Sequence, residues 1–297
     1  MLAVVILGHV STRGAEFGPH SASFTNHKPS ASAQARHSDR HQRRAFGTMA
    51  EDVLRNFRPH QPSVATVNAV PSVDRECMDI LTASSSTPVT LLRVPPPGGS
   101  SVASVAFPAF IIDNLLSLQE CQGLIALSER CGYEPAEVNI GGGLQVRNDS
   151  VRRTSRCMMD CPEAASVVFG RIRDVLPPHG PRDGWCRPVG LNERLRVLRY
   201  SPGDYFRPHQ DGIYERPVGH PRAGDTSLMT LMIYLNTPER GGDTNFLSFA
   251  GDQPSCVAPI TGRALLFDHG LLHEGATLLK GVKYAIRTDV MYTRRRD

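Results

Sequence analysis

Arg199-Tyr-Ser-Pro-Gly-Asp-Tyr-Phe-Arg-Pro-His-Gln-Asp211 is the stretch that decides what kind of scaffold this chain needs. It closes on His209-Gln210-Asp211. On a strand, residues i and i+2 project from the same face. An imidazole nitrogen and a carboxylate oxygen therefore converge above one point. Two ligands do not make a site, so the rest of the chain must supply a third and a use for it.

Around this stretch the pattern is of short strands. From Leu191 onward, Leu195–Tyr200 alternates, Ser227–Leu235 is a longer apolar run that reads as a central strand, and Thr244–Phe249, Arg263–Phe267 and Lys283–Tyr292 follow. Gly241-Gly242, Gly251, Gly262 and Gly281 punctuate them. Upstream, Phe107–Ile112 reads as a strand. Ser117-Leu-Gln-Glu120 is a capping box, in which the serine takes a free amide and the glutamate reaches back. Leu118, Cys121, Leu124 and Ile125 repeat at helical spacing, and Gly132 stops that helix. Asp160 and Glu163 frame a second helix start, Ala165, Val168, Phe169, Ile172 and Val175 line one face, and Pro177-Pro178 ends it. Many short strands after two helices imply a mainly β fold with flanking helices, a sandwich or jelly-roll barrel with the helices packed outside.

The 297 residues allow one large domain with appendages. Residues 1–50 are acid-poor, with only Glu16 and Asp39, and rich in Ser, Ala, His and Arg. They read as an organellar transit segment (mitochondrial or plastid), as an upstream piece preceding a true start at Met49, or as a signal peptide around Leu2–Gly8; without such a leader the compartment is the cytoplasm. Residues 51–104 have linker composition at Ser84–Pro88 and Pro95–Ser101, with Val89–Val94 available as an edge strand, and are expected to be a flexible extension. The folded domain is expected over 105–297. No apolar run approaches the ~20 residues that span a bilayer. A net charge of +4 with scattered basic residues does not describe a nucleic-acid surface. Seven cysteines without paired CxxC spacing read as reduced, mostly buried thiols.

His273, in Leu271-Leu-His-Glu-Gly275, is the third ligand candidate. Two His and one carboxylate with other positions open is the set used by non-haem Fe(II) oxygenases. Lysine is scarce, at positions 28, 280 and 283 only. Lys283 follows His273 on the next strand, and a buried ammonium there needs an anion. A dicarboxylate that chelates the metal at one end meets that need.

Four segments carry a family resemblance: Leu198-Arg-Tyr-Ser-Pro-Gly203 with His209-Gln-Asp211; Tyr234-Leu-Asn236 with Gly241-Gly-Asp-Thr-Asn-Phe246; Gly262-Arg-Ala-Leu-Leu-Phe267; and His273-Glu-Gly275 with Gly281-Val-Lys-Tyr284. Together they resemble the catalytic core of 2-oxoglutarate- and Fe(II)-dependent dioxygenases of the prolyl 4-hydroxylase type, over residues 192–293. The resemblance implies a double-stranded β-helix, with His209, Asp211 and His273 holding Fe(II). It implies that Lys283 pairs with the distal carboxylate of 2-oxoglutarate, that Tyr200 and Tyr234 hydrogen-bond or line the cosubstrate pocket, and that Thr244 forms part of its wall. It further implies ascorbate as reductant, molecular oxygen as co-reactant and a peptidyl proline or related protein side chain as substrate, with 2-oxoglutarate decarboxylated to succinate.

Some residues compete for roles. His269 is assigned to support rather than ligation, because Gly270 argues against a helical His pair. Arg287 shares strand parity with Lys283 and is open as an alternative anchor, a substrate contact or a surface cation. Arg152, Arg153 and Arg156 line either the substrate mouth or a solvated loop. Three other functions are weighed. A nucleic-acid demethylase of the same fold anchors its cosubstrate with arginine, where this chain has Lys283. The intact ligand set argues against a barrel that binds a metal or ligand without turning over. A metal-assisted hydrolase has no use for Lys283. The oligomeric state is open.

Overall fold

The alternation in the second half of the chain resolves into two facing antiparallel sheets. The computed structural model describes residues 71–82, 89–99, 108–141, 144–180 and 185–294. The expectations for residues 1–50 lie outside the described residues. Two units divide the chain: residues 61–139 with 145–297, which carry the fold, and residues 1–60 with 140–144, of which Ile140, Gly141 and Leu144 are described, as strand.

Eight strands build the core: β1 (Arg194–Tyr200), β2 (Tyr205–His209), β3 (Thr226–Tyr234), β4 (Thr244–Phe246), β5 (Ser255–Val257), β6 (Ala264–Asp268), β7 (His273–Gly275) and β8 (Lys283–Arg294). In the larger sheet the order is β6-β3-β8-β1, and in the smaller β5-β4-β7-β2. This is the double-stranded β-helix expected from the sequence. Thr90–Arg93 and Ala109–Asp113 extend the larger sheet beyond β6, and Ser155–Asp160 extends it beyond β1. Arg152–Arg153 adds a short edge to β2.

The larger sheet is buried on both faces, which explains why β3 reads as a continuous apolar run. Its outward residues Leu195, Val197, Leu231, Ile233, Leu266, Ile286 and Val290 pack with the helices in one core. Its inward residues Tyr234, Leu265, Phe267 and Ala285 pack with Phe246 and Val257 of the smaller sheet. Three helices cover the outer face: α1 (Pro71–Thr82), α2 (Leu118–Cys131) and α3 (Pro162–Ile172). The capping box at Ser117 and Glu120 is formed and Gly132 closes α2. No helix among the described residues is long and apolar enough to cross a membrane. Cys77, Cys121, Cys131, Cys157, Cys161 and Cys256 are free thiols.

Three expectations need correction. The extension over 51–104 contains ordered structure. Val73, Cys77, Ile80 and Leu81 recur at helical spacing, and α1 buries Cys77 and Leu81 in the outer core. Thr90–Arg93, by contrast, is the edge strand that Val89–Val94 was expected to offer. Second, α3 stops at Ile172, before Pro177, because the amide of Val175 takes a tighter bond to Ile172 O at 3.0 Å and the chain turns. Third, Asp160 does not frame α3. It pairs with Arg194 at 2.7 Å, and Asp74 of α1 accepts from the amides of Glu163 and Ala164 at 3.3 Å instead.

One glycine is fixed by geometry. Gly262 has φ +79°, its carbonyl accepts from Leu115 N and Leu116 N, and a Cβ there would stand 2.1 Å from Leu116 O. Gly262→Ala is expected to cost ~2–4 kcal/mol by strain and clash, read as a shift in the urea midpoint.

Candidate metal and cosubstrate site

β2 and β7 are neighbours, and their register sets His209 opposite His273. The two imidazole centroids are 4.2 Å apart. Asp211 is not on the same strand, contrary to the i, i+2 expectation. β2 ends at His209, and Asp211 stands two residues beyond, in the loop. Its amide donates to His269 O at 2.9 Å, which returns it to the side of the histidines. Ligand atoms of His209, Asp211 and His273 all lie within 4.8 Å of one another. Nε2 of His209 is 3.9 Å from Asp211 Oδ1, and Nε2 of His273 is 3.7 Å from Oδ2.

Both histidines turn the correct nitrogen inward. Nδ1 of His209 is 2.7 Å from Arg207 O and Nδ1 of His273 is 2.9 Å from Leu271 O. A carbonyl only accepts, so the proton sits on Nδ1 and each Nε2 keeps its lone pair for the cluster. Burial lowers the pKa of both rings, of His209 well below the ordinary value, so both rings are held neutral. Burial pushes the Asp211 carboxyl up, but Arg287, His273 and His209 outweigh it and hold it well below the usual carboxylate range. Thr230 donates to Asp211 Oδ2 at 2.5 Å, and Arg287 Nη2 is 3.0 Å from Oδ1. Two neutral imidazoles and one carboxylate, with no fourth His, Cys, Asp or Glu in the cluster among the described residues, fit Fe(II) with open positions.

Aromatic rings orient the ligands. A bulge between Phe206 and His209 brings their rings to one side, stacked at 3.5 Å. Phe267 stands edge-on to His273 at 4.6 Å.

A second group lies two residues along β7. Thr244 pairs with Gly275 in the register that sets Phe246 beside His273. Two strand residues separate the groups by about 7 Å. Tyr234 and Thr244 share a hydrogen bond of 2.8 Å between their hydroxyls. Lys283 is 3% exposed. Its Nζ donates to Gly242 O at 2.5 Å and lies 5.0 Å and 5.3 Å from the ring centroids of Tyr200 and Tyr234. No carboxylate of the described residues lies in ion-pair range of it. Burial pulls its pKa down to about 8, with Asp243 opposing.

That shift has a sign. The folded protein releases this proton before the unfolded chain does, so this lysine adds stability as pH rises from about 8 towards its ordinary 10.5. Capture of an anion needs the ammonium and weakens over the same range. The 2-oxoglutarate Kd in metal-loaded protein, measured calorimetrically, is expected to be about tenfold higher at pH 9 than at pH 7. A flat profile would remove Lys283 as the anion partner.

The competing residues also find their places. Arg287 is no surface cation and does not stand with Lys283; it contacts Asp211 and Asp289. Arg156 pairs with Glu134 and Glu137. The Arg152 guanidinium lies over Phe206 at 4.5 Å, one ring away from His209. His269 is fully buried and outside the ligand cluster. Thr230, Phe206 and Asp289 are contributors that motif spacing does not single out. The signal for Asp289 was strand parity with Lys283 and Arg287.

Residues 195–288 match the family model of the 2OG-Fe(II) oxygenase superfamily, and this span contains both groups. The chain is 26% identical over 205 residues to probable prolyl 4-hydroxylase 8 of Arabidopsis thaliana, covering 60% of this chain and 66% of that protein. It is 32% identical over 204 residues to probable prolyl 4-hydroxylase 10 of the same plant, covering 60% and 66%. The chain thus spans just under two thirds of the length of these relatives. Among solved structures, the viral collagen prolyl hydroxylase of Paramecium bursaria Chlorella virus-1, in complex with 2OG, aligns at 24% identity and a TM-score of 0.42, covering 62% of this chain and 96% of that one. Over residues 195–288 the chain thus resembles the 2OG-Fe(II) oxygenase superfamily, and the relatives it is similar to carry the name prolyl 4-hydroxylase.

Proposed function

We propose that the protein is an Fe(II)- and 2-oxoglutarate-dependent dioxygenase that hydroxylates a peptidyl proline or a related protein side chain. His209 Nε2, the Asp211 carboxylate and His273 Nε2 would hold the iron. An iron held there would supply, with 2-oxoglutarate and oxygen as co-reactants, the oxidising power to put one oxygen atom into a substrate C–H bond and the other into succinate, with release of CO2.

The chain's own residues bind and orient. Lys283 neutralises the distal carboxylate of 2-oxoglutarate, in a pocket walled by Tyr200, Tyr234 and Thr244. The separation of about 7 Å along β7 suits a short dicarboxylate that reaches from lysine to metal. Phe206 and Phe267 exclude water from the ligand rings. Ascorbate serves as the reductant that keeps the iron ferrous. The observation that carries this reading is a buried lysine with no carboxylate of the described residues in ion-pair range, one step along the barrel from a His/Asp/His cluster. Proline-containing peptides and methylated oligonucleotides, incubated with protein, Fe(II), 2-oxoglutarate and ascorbate, test the substrate class. A mass gain of one oxygen on a peptide is expected. Loss of a methyl group from the oligonucleotide, with the peptides unchanged, would replace this substrate with another.

A further inference from the structure

Asp211 is the metal ligand whose strand does not hold it. It lies past the end of β2, so no ladder hydrogen bond fixes its side chain, and a carboxylate that rotates is a poor ligand. What fixes it comes from the far half of β8. That strand sends Ile286 and Val290 to the helices and Lys283, Ala285, Arg287 and Asp289 to the barrel interior. Lys283 and Arg287 are therefore on one face but four residues apart, about 13 Å.

Arg287 Nη2 lies between two carboxylates, 3.0 Å from Asp211 Oδ1 and 3.3 Å from Asp289 Oδ1. Asp289, 2% exposed, is held in turn by Arg196 Nη1 and Asn192 Nδ2, both at 3.3 Å from its Oδ2. His269 Nε2 is 3.6 Å from Asp289 Oδ1, and the His269 carbonyl accepts the Asp211 amide. Asp289 never touches Asp211 directly, yet reaches it by two routes, through Arg287 to the carboxylate and through His269 to the backbone. Thr230, opposite Asp289 in the β3–β8 register, takes the other Asp211 oxygen. Charges alternate along the line Asp211, Arg287, Asp289, Arg196. Removing one member strands its neighbours in a water-poor interior.

We propose that Arg287 and Asp289 are positioning residues that fix the rotamer and orientation of the Asp211 carboxylate, so that metal affinity at the His209/Asp211/His273 cluster depends on a buried ion pair that itself supplies no ligand atom. This rests on the metal reading given above. It also assigns Arg287 a task other than cosubstrate anchoring.

The test is Mn(II) affinity of the full chain, read from the paramagnetic resonance of the free ion, together with the Tm of the metal-free protein. Arg287→Gln is expected to weaken Mn(II) binding ten- to about a hundredfold, and Asp289→Asn about tenfold, as for other outer partners of metal ligands. Arg287→Lys, which keeps the charge, should recover part of the loss. In the double variant the loss should fall short of the product of the two single losses, because Asp289 acts through Arg287. Arg263→Gln is the control. It breaks a half-buried pair with Asp113, 2.7 Å and 3.2 Å, that joins β6 to Ala109–Asp113 away from the cluster. It should lower Tm and leave Mn(II) affinity alone. Affinities of the β8 variants within twofold of the parent, or an equal loss in Arg263→Gln, would overturn the proposal. If the parent itself binds no Mn(II) or Fe(II), the metal reading fails, which is a different outcome.

Discussion

His209→Ala is expected to weaken divalent metal binding by at least about a hundredfold and to abolish metal-dependent turnover. The size follows from position. Outer partners of metal ligands cost ten- to about a hundredfold when removed, and His209 is proposed to contribute a ligand atom itself, so the outer figure is a floor. His209 belongs to none of the hydrophobic core clusters, so the metal-free variant should unfold close to the parent temperature. Mn(II) titration and a thermal melt separate the two effects. Metal affinity within tenfold of the parent would mean that His209 is not a ligand, and that the fixed Nδ1 contact to Arg207 O has another purpose.

Lys283→Met is expected to have opposite effects on binding and on stability. Truncating one partner of a buried, hydrogen-bonded charge pair costs about 2–5 kcal/mol of affinity, so 2-oxoglutarate should bind thirtyfold more weakly or worse, at 1.4 kcal/mol per decade. Without cosubstrate the same ammonium is buried against Gly242 O and two tyrosine rings, with no carboxylate of the described residues in ion-pair range. That arrangement is costly, so the variant should melt higher than the parent in the absence of ligand. Calorimetric titration of metal-loaded protein and a ligand-free melt give both numbers. Unchanged 2-oxoglutarate affinity would move the anchor elsewhere; a lower melting temperature would mean that the lysine is structural.

Much of this was legible before the fold was known, because ligand residues and turn glycines are local signals. His209, Asp211, His273 and Lys283 stand out by residue type and spacing. Ser117 and Glu120 announce α2 within four residues. Less legible was whatever depends on partners distant in sequence. Strand periodicity places His209 and Asp211 on one face of one strand, but β2 ends at His209, and it is the distant His269 that returns Asp211 to the cluster. Arg287 shares parity with Lys283, which left an anchor role open, and only the fold brings Asp211 to it. The helix α1 was obscured by Ser- and Pro-rich flanks, although Val73, Cys77, Ile80 and Leu81 carried its period. Thr230 is one hydroxyl in an apolar run, and nothing local distinguishes it from a core threonine.

The most direct test of the central claim is the fate of labelled 2-oxoglutarate. Purified protein with Fe(II), ascorbate and oxygen is given 2-oxoglutarate labelled at its first carboxyl, with and without a proline-containing peptide, and CO2, succinate and peptide mass are followed together. The account predicts Fe(II)-dependent CO2 release, stimulated by peptide and matched one to one by succinate and by oxygen gained on the peptide. No CO2 release under any of these conditions, together with no detectable 2-oxoglutarate binding to metal-loaded protein, would contradict it.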